Sequence, residues 1–243
     1  EAMKLAEKIV HTSAWQAEGA FNTSVSHHDA QAKFLKAGYG GNQPIAMLFD
    51  GTWWEGEATE TFKEVSDEYG APTKAERSFG WMPMPKANKS KVGEKQTFFD
   101  PTQGMMFVKS TLAENKKDIV GKFIRFIHSD KMLSEFTRIT SAAKAFDYEI
   151  MIEDAAQMTT YAENLWTQRK NANAIIYPIS NAALFANNQG NFDRSSVSGV
   201  RIGGKDYENA AQAFHEIPTL TAEQAFEGML SYMSDSWWPS LKK

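Results

Sequence analysis

Histidines, carboxylates and paired tryptophans are the side chains of this 243-residue chain from which chemistry can be argued. His27-His28-Asp29 places two imidazoles and a carboxylate in succession. A metal ion needs converging donors, whereas adjacent residues of a helix point about 100° apart. Neither an i,i+4 pair nor a remote third ligand is evident from spacing. Ser26, three positions before Asp29, makes a capping box that already accounts for the carboxylate, so the sequence assigns no metal ion and no cofactor here. His11, His128 and His215 stand alone, and no G-x-S-x-G turn is present to expose a nucleophilic serine. The absence of cysteine removes thiol nucleophiles, disulfides and Cys-ligated zinc. Asp50, Glu55 and Glu57 surround Trp53-Trp54 and offer a carboxylate couple of the kind used in glycoside hydrolysis, with Glu55 also expected to close a Thr52-Glu55 capping box. Neighbouring helical residues cannot both face one core. At least one of the two indoles is therefore expected to lie toward a cleft or the surface, where a flat aromatic stacks on a sugar face. Trp237-Trp238, before Pro239, is expected to pack against the body of the protein.

The elements that position these residues are those of a globular α/β chain. Hydrophobic residues make up 42% of the sequence and charged residues 23%, which excludes a disordered polymer. No apolar run reaches membrane-spanning length. The 26 Lys and Arg against 30 Asp and Glu give a formal charge of -4, without the basic excess that phosphate neutralisation favours, so nucleic acid is excluded as the expected partner. Glu1 to Val10 repeats apolar positions at helical spacing, with Leu5, Ile9 and Val10 on one side, and the chain is expected to begin mid-protein. A helix opens at Ser26. Ile45-Ala46-Met47-Leu48-Phe49 has the length of a buried strand and is closed by Asp50-Gly51, after which the chain enters a helix bearing both tryptophans. Gly70 and Pro72 end that helical region.

Phe79 to Pro85 reads as a short strand stopped by proline, and Thr97 to Val108 as a strand interrupted at Asp100-Pro101 and Gly104. Thr111 to His128 carries Ile119, Val120, Phe123, Ile124 and Ile127 at three- and four-residue steps and needs a partner surface. Ser129 opens a further helix with Leu133 and Phe136 inward, and Met158 to Lys170 another with Tyr161, Leu165 and Trp166. Ile175 to Pro178 is extended, Asn187 to Lys205 is a long aperiodic loop, and Thr221-Gln224 caps a last helix whose apolar face is Phe226, Met229, Leu230 and Met233.

Ala46 to Trp54 resembles the A-M-x-x-x-G-x-W element of the family 1 extracellular solute-binding proteins of ABC importers. Phe79 to Pro85 is similar to that family's following short strand, Gly104 to Ser110 to its hinge-recrossing strand, and Asn115 to Arg138 to its N-K-x-x-A-x-x-F-x-x-F helix and the helix after it. The order also agrees, over about residues 30–181. The chain departs from the family at Pro101-Thr102-Gln103-Gly104, where a Gly-Gly is usual, and in the length of the 187–205 loop.

The resemblance implies a periplasmic-binding-protein-like fold. Residues 1–98 and 151–243 would form the C-terminal lobe, and residues 99–150 the hinge crossing and a returning segment of the N-terminal lobe. It implies a non-catalytic, extracytoplasmic receptor that binds a carbohydrate and delivers it to ABC permease subunits. Trp53 or Trp54 would stack on the sugar with Asp50 as hydroxyl acceptor, Tyr177 and Asn181 would form a second cluster, and Thr102 and Gln103 a third at the hinge. Exposed apolar surface on the returning helix would favour association with another copy of the chain. A carbohydrate-active enzyme using Asp50 and Glu57, and a structural interaction domain in which both tryptophans are buried, are the two alternatives.

Overall fold

Two separate hydrophobic clusters organise the chain, each gathering segments distant in sequence. The computed structural model describes residues 1–16, 20, 24–86, 88–100, 109, 111–176 and 199–237, without the side chains of Phe99, Ile175, Ile176, Ser236 and Trp237. It is mixed α/β, with more helix than strand. One compact unit comprises Glu1–Val25, Ala87–Ser90 and Pro178–Lys243, and the other Ser26–Lys86 and Lys91–Tyr177. The boundaries expected after residues 98 and 150 both fall inside the second unit.

In the first unit α1 (Ala2–His11) packs on its neighbours through Met3, Ala6 and Val10. Of the three apolar residues expected on one side, Val10 is buried, whereas Leu5 and Ile9 are exposed. The end of the expected loop is instead a hairpin, in which β3 (Val200–Ile202) pairs antiparallel with β4 (Lys205–Tyr207). Gly203 and Gly204 between them both have positive φ, 59° and 83°, as a two-residue hairpin turn of the right twist requires. After α9 (Ala210–Glu216) comes α10 (Ala222–Tyr232), with the expected Thr221-Gln224 capping box in place. Its buried stripe is Ala222, Ala225 and Gly228, and Phe226 and Leu230 point outward. Small residues win this face because the helix lies directly on β3. A Cβ at Gly228 would stand 2.6 Å from the carbonyl oxygen of Arg201 and 2.7 Å from Ile202 Cδ1.

The second unit is built on an aromatic core. Its helices are α2 (His27–Lys36), α3 (Trp54–Glu57), α4 (Thr59–Tyr69), α5 (Glu114–Ile127), α6 (Asp130–Thr140), α7 (Ile152–Ala155) and α8 (Thr160–Asn171). Trp54 makes edge-to-face contacts with Phe34, Phe79 and Tyr161 at centroid distances of 5.7, 5.1 and 5.6 Å, and tilted contact with Phe62 at 5.9 Å. Tyr161, Leu165 and Trp166 of α8 are buried as the periodicity predicts. Strand β1 (Thr97–Asp100) pairs in parallel with β2 (Asn173–Ile176), Thr97 opposite Asn173 and Asp100 opposite Ile176. At the end of β1 the buried Asp100 accepts from Ala145 N at 3.0 Å and Lys144 Nζ at 3.3 Å.

Two expected strands do not form. Ile45 to Phe49 joins no ladder, and Met47 and Phe49 are 73% and 84% exposed, because Leu48 alone of its bulky residues packs on the core. Phe79 to Pro85 is extended but unpaired. Its Trp81 N donates instead to Asn164 Oδ1 at 2.7 Å, and Pro83 and Pro85 have no N–H to donate. Helix α5 forms where its periodicity predicts, yet none of its residues is buried, and Ile119 and Phe123 are 64% and 51% exposed. Phe136 of α6, expected inside, also lies toward solvent, while Leu133 is buried.

Polar contacts close the inner face of α6. Buried Ser134 Oγ donates to Asp154 Oδ2 at 2.6 Å, and Arg138 Nε donates to Asp154 Oδ1 at 2.7 Å. These donors, the Ser134 hydroxyl first, hold the Asp154 carboxyl below its ordinary range. A depressed native pKa stabilises the fold above the unfolded value and loses that contribution as pH falls through the native one. Asp154→Asn is therefore expected to lower the urea midpoint at pH 7, and the gap from the parent chain to narrow below about pH 4. In the first unit Gly228→Ala is expected to cost about 1–3 kcal/mol by overpacking α10 against β3, read as a lower thermal midpoint, with Glu227→Ala nearly neutral.

Candidate functional site

The corner between Asp50 and Glu57 carries the residues with the most chemistry, and Trp54 fixes it. Thr52 does not cap the following helix. The N-cap position is Trp53, with no side-chain hydrogen bond, and Glu55 is drawn into the interior instead. Its Oε2 accepts from Thr159 Oγ1 at 2.6 Å, while Oε1 has no partner among the described residues. Tyr161 Oη donates to the carbonyl oxygen of Thr52 at 2.9 Å, tying the corner to α8, and burial pushes that phenol far above its ordinary range. A capping box was readable in the letters, but a buried hydroxyl partner for Glu55 won.

With Trp54 in the core, Trp53 is turned outward and is 37% exposed. Its ring lies on Gly51: a Cβ there would stand 2.3 Å from Cζ2 of the indole. Asp50, half-buried, precedes that glycine and accepts from Gly51 N at 2.6 Å through Oδ1. Of the two stacking candidates, the structure thus leaves Trp53 accessible and makes Trp54 a core residue. The alternative of a structural interaction domain supposes both indoles buried, and one of the two is.

Beneath Asp50 lies a residue that belongs to no sequence motif. Gln31 is fully buried, and its Nε2 donates to Asp50 Oδ2 at 2.9 Å and to Glu57 Oε2 at 2.7 Å. One amide thereby holds two carboxylates. Their accepting oxygens lie no farther apart than those two distances placed end to end. The readable signal was helical spacing, since His27, His28, Gln31 and Leu35 fall on one face of α2 at three- and four-residue steps. Leu35 reaches the core, Gln31 sits at its edge, and the two histidines stand at the exposed start.

Those histidines meet a partner that spacing did not show. His27 Nε2 lies 3.5 Å and His28 Nε2 3.9 Å from Glu57 Oε1, and their rings are in contact at a centroid distance of 4.0 Å. Ser26 and Asp29 form the expected capping box, which holds the Asp29 carboxyl below its ordinary range through the backbone and hydroxyl of Ser26. Two of the isolated histidines lie against backbone carbonyls. His11 Nε2 lies 3.2 Å from the carbonyl oxygen of Phe214, and His128 Nδ1 lies 2.8 Å from that of Ile124.

Thr102, Gln103, Tyr177 and Asn181, the other expected ligand contacts, lie outside the described residues, as does Trp238; of Trp237 only the backbone is described. A separate open groove of about 570 Å³ in the first unit is lined in part by Arg201, Leu220, Glu223 and Gly228, and by none of the expected binding residues. Arg201 there is paired with Asp206 and Asp235. Comparison of the chain with protein-family models, curated proteins and solved structures finds no match in any of the three.

Proposed function

We propose that the chain is part of a non-catalytic receptor for a small solute, a carbohydrate, serving an ABC importer outside the cytoplasm. The observation that carries this reading is the Trp53 indole, exposed on Gly51 next to the hydrogen-bond acceptor Asp50. A sugar presents apolar C–H faces and a rim of hydroxyls, so a flat aromatic beside a carboxylate is matched to it. The order of sequence features shared with the solute-binding proteins supports the same reading. In it, Thr102, Gln103, Tyr177 and Asn181 complete the site, and ligand stabilises a closed form that the permease subunits recognise. The unburied apolar face of α5 supports self-association of the chain.

A glycoside hydrolase is the second reading, favoured by the common tether of Asp50 and Glu57 to Gln31. The distances to that amide allow a separation like the about 5–5.5 Å of retaining enzymes. The receptor reading is preferred because both carboxylates accept from the same donor, whereas hydrolysis needs one of them to present a proton to the leaving group.

Trp53→Ala is expected to weaken sugar binding by about 1–3 kcal/mol in calorimetry while leaving the thermal midpoint near the parent value. Trp54→Ala is expected to do the reverse in stability terms, costing about 3–5 kcal/mol. Unchanged affinity in Trp53→Ala across a panel of mono- and oligosaccharides would remove the stacking proposal. Turnover of aryl glycosides that vanishes in Glu57→Gln would favour the enzyme. Sedimentation of the chain as a clean monomer would remove the self-association.

A further inference from the structure

The start of α2 and the end of α3 bring together three donors for which the receptor has no use. We propose that His27 Nε2, His28 Nε2 and Glu57 Oε1 form a binding site for a zinc ion, with a remaining coordination position open to solvent.

Distance is the first support. Zinc binds imidazole nitrogen at about 2.0–2.1 Å and carboxylate oxygen at about 2.0–2.2 Å, and tetrahedral geometry then sets neighbouring donors about 3.4 Å apart. His27 and His28 stand 3.5 and 3.9 Å from the glutamate oxygen, and donor atoms of all three residues lie within 4.8 Å of one another. Both imidazoles are exposed, with more than half of each side chain open to solvent, so the rings can close the remaining gap by rotating about their side-chain bonds.

Orientation is the second. A ligating carboxylate works best when its other oxygen is held by an outer partner. Glu57 has that arrangement, with Oε1 facing the imidazoles and Oε2 accepting from buried Gln31 at 2.7 Å. Gln31 Oε1 has no partner among the described residues, so this buried amide lacks full hydrogen bonding of its own. Its work is done by Nε2, which fixes Glu57 and Asp50 together.

Charge is the third. A helix N-terminus repels cations, and here three carboxylates offset that field: Asp29 in the first turn, Glu57 across from it, and Asp50 on the shared amide. Two imidazoles with one carboxylate select zinc or a similar transition ion over magnesium and calcium, which take oxygen donors. Three protein ligands and an open position also match zinc that polarises a bound water or ligand rather than zinc that only braces a fold.

The test is calorimetric titration of the untagged chain with Zn2+ at pH 7.5, with Mg2+ as the comparison ion, alongside ring resonances of the histidines. The expected result is one Zn2+ per chain, no response to Mg2+, and coupled shifts of the His27 and His28 rings while those of His11 and His128 stay in place. His28→Gln and Glu57→Gln, both at exposed positions, are each expected to weaken binding by more than about 100-fold, the upper end of what loss of an outer partner costs, with unchanged circular dichroism. Affinity equal to the parent in both variants, a response shared by all the histidines, or no Zn2+ uptake at micromolar concentration would each overturn the site. None of these outcomes depends on whether a sugar binds at Trp53.

Discussion

Burial of the Trp54 indole is the constraint from which the arrangement of the second unit follows. An aromatic of this size is satisfied only by several partners at edge-to-face or tilted geometry, and Phe34, Phe62, Phe79 and Tyr161 supply them from four different segments. Once those segments converge, the residues on either side of Trp54 have little choice. Trp53 is turned out over Gly51, and Glu55 is turned in toward Thr159. Arg77 closes the same cluster from above, with its guanidinium 5.1 Å from the Phe79 ring and 5.7 Å from the Phe62 ring while donating to the carbonyl oxygen of Leu35 at 3.0 Å. The functional corner is thus the outward side of a core decision.

The polar groups below that corner obey a second constraint, that a buried donor must be used. Gln31 has one amide nitrogen with two hydrogens, and both go to carboxylates. This ties α2 to the Asp50 turn and to the last residue of α3 by a single side chain. It also sets which oxygen of Glu57 is left to face the histidines. Elsewhere in the unit the same rule organises Thr137 with Tyr148 at 2.6 Å, and Arg169 with the carbonyl oxygens of Lys144 and Phe146. Gln31, Tyr148 and Arg169 each join segments that the aromatic core brings near.

Local signals in the sequence were readable where the physics is local. Ser26-Asp29 and Thr221-Gln224 form the capping boxes their spacing predicts, Gly70 takes the left-handed cap at φ 64° that ends α4, and the stripe Tyr161, Leu165 and Trp166 is buried. Thr52-Glu55 has the same spacing and fails, because Glu55 finds a tertiary partner that no local rule contains. Ile45 to Phe49 has strand composition but no neighbouring strand among the described residues to complete a ladder, so composition alone misled. The Gly203-Gly204 hairpin lies at the end of a stretch whose lack of periodicity predicts a loop, although paired glycines between short strand-forming runs are a strong turn signal. Contact between His27, His28 and Glu57 was not legible at all, since it needs the fold to bring residues 27 and 57 together.

The parallel pairing of β1 with β2 has a consequence for how the second unit is reached in time. Thr97 meets Asn173 only after the intervening chain, including α5, α6, α7 and α8, has been enclosed in a loop, and the entropy of that closure is given up before any ladder bond rewards it. The Gly203-Gly204 hairpin of the first unit has no such delay, because its strands are joined by two residues. Contacts of high sequence separation form slowly, whereas α6 and α7 and the first hairpin are near neighbours along the chain. The expected order places local helix pairs and the hairpin early and the β1–β2 ladder late, so that Asp100 reaches Lys144 and Ala145 as one of the last fastenings of the unit. The same lateness exposes the edge of β1 during folding, which leaves Thr97 to Asp100 open to pairing with another chain before its own partner arrives.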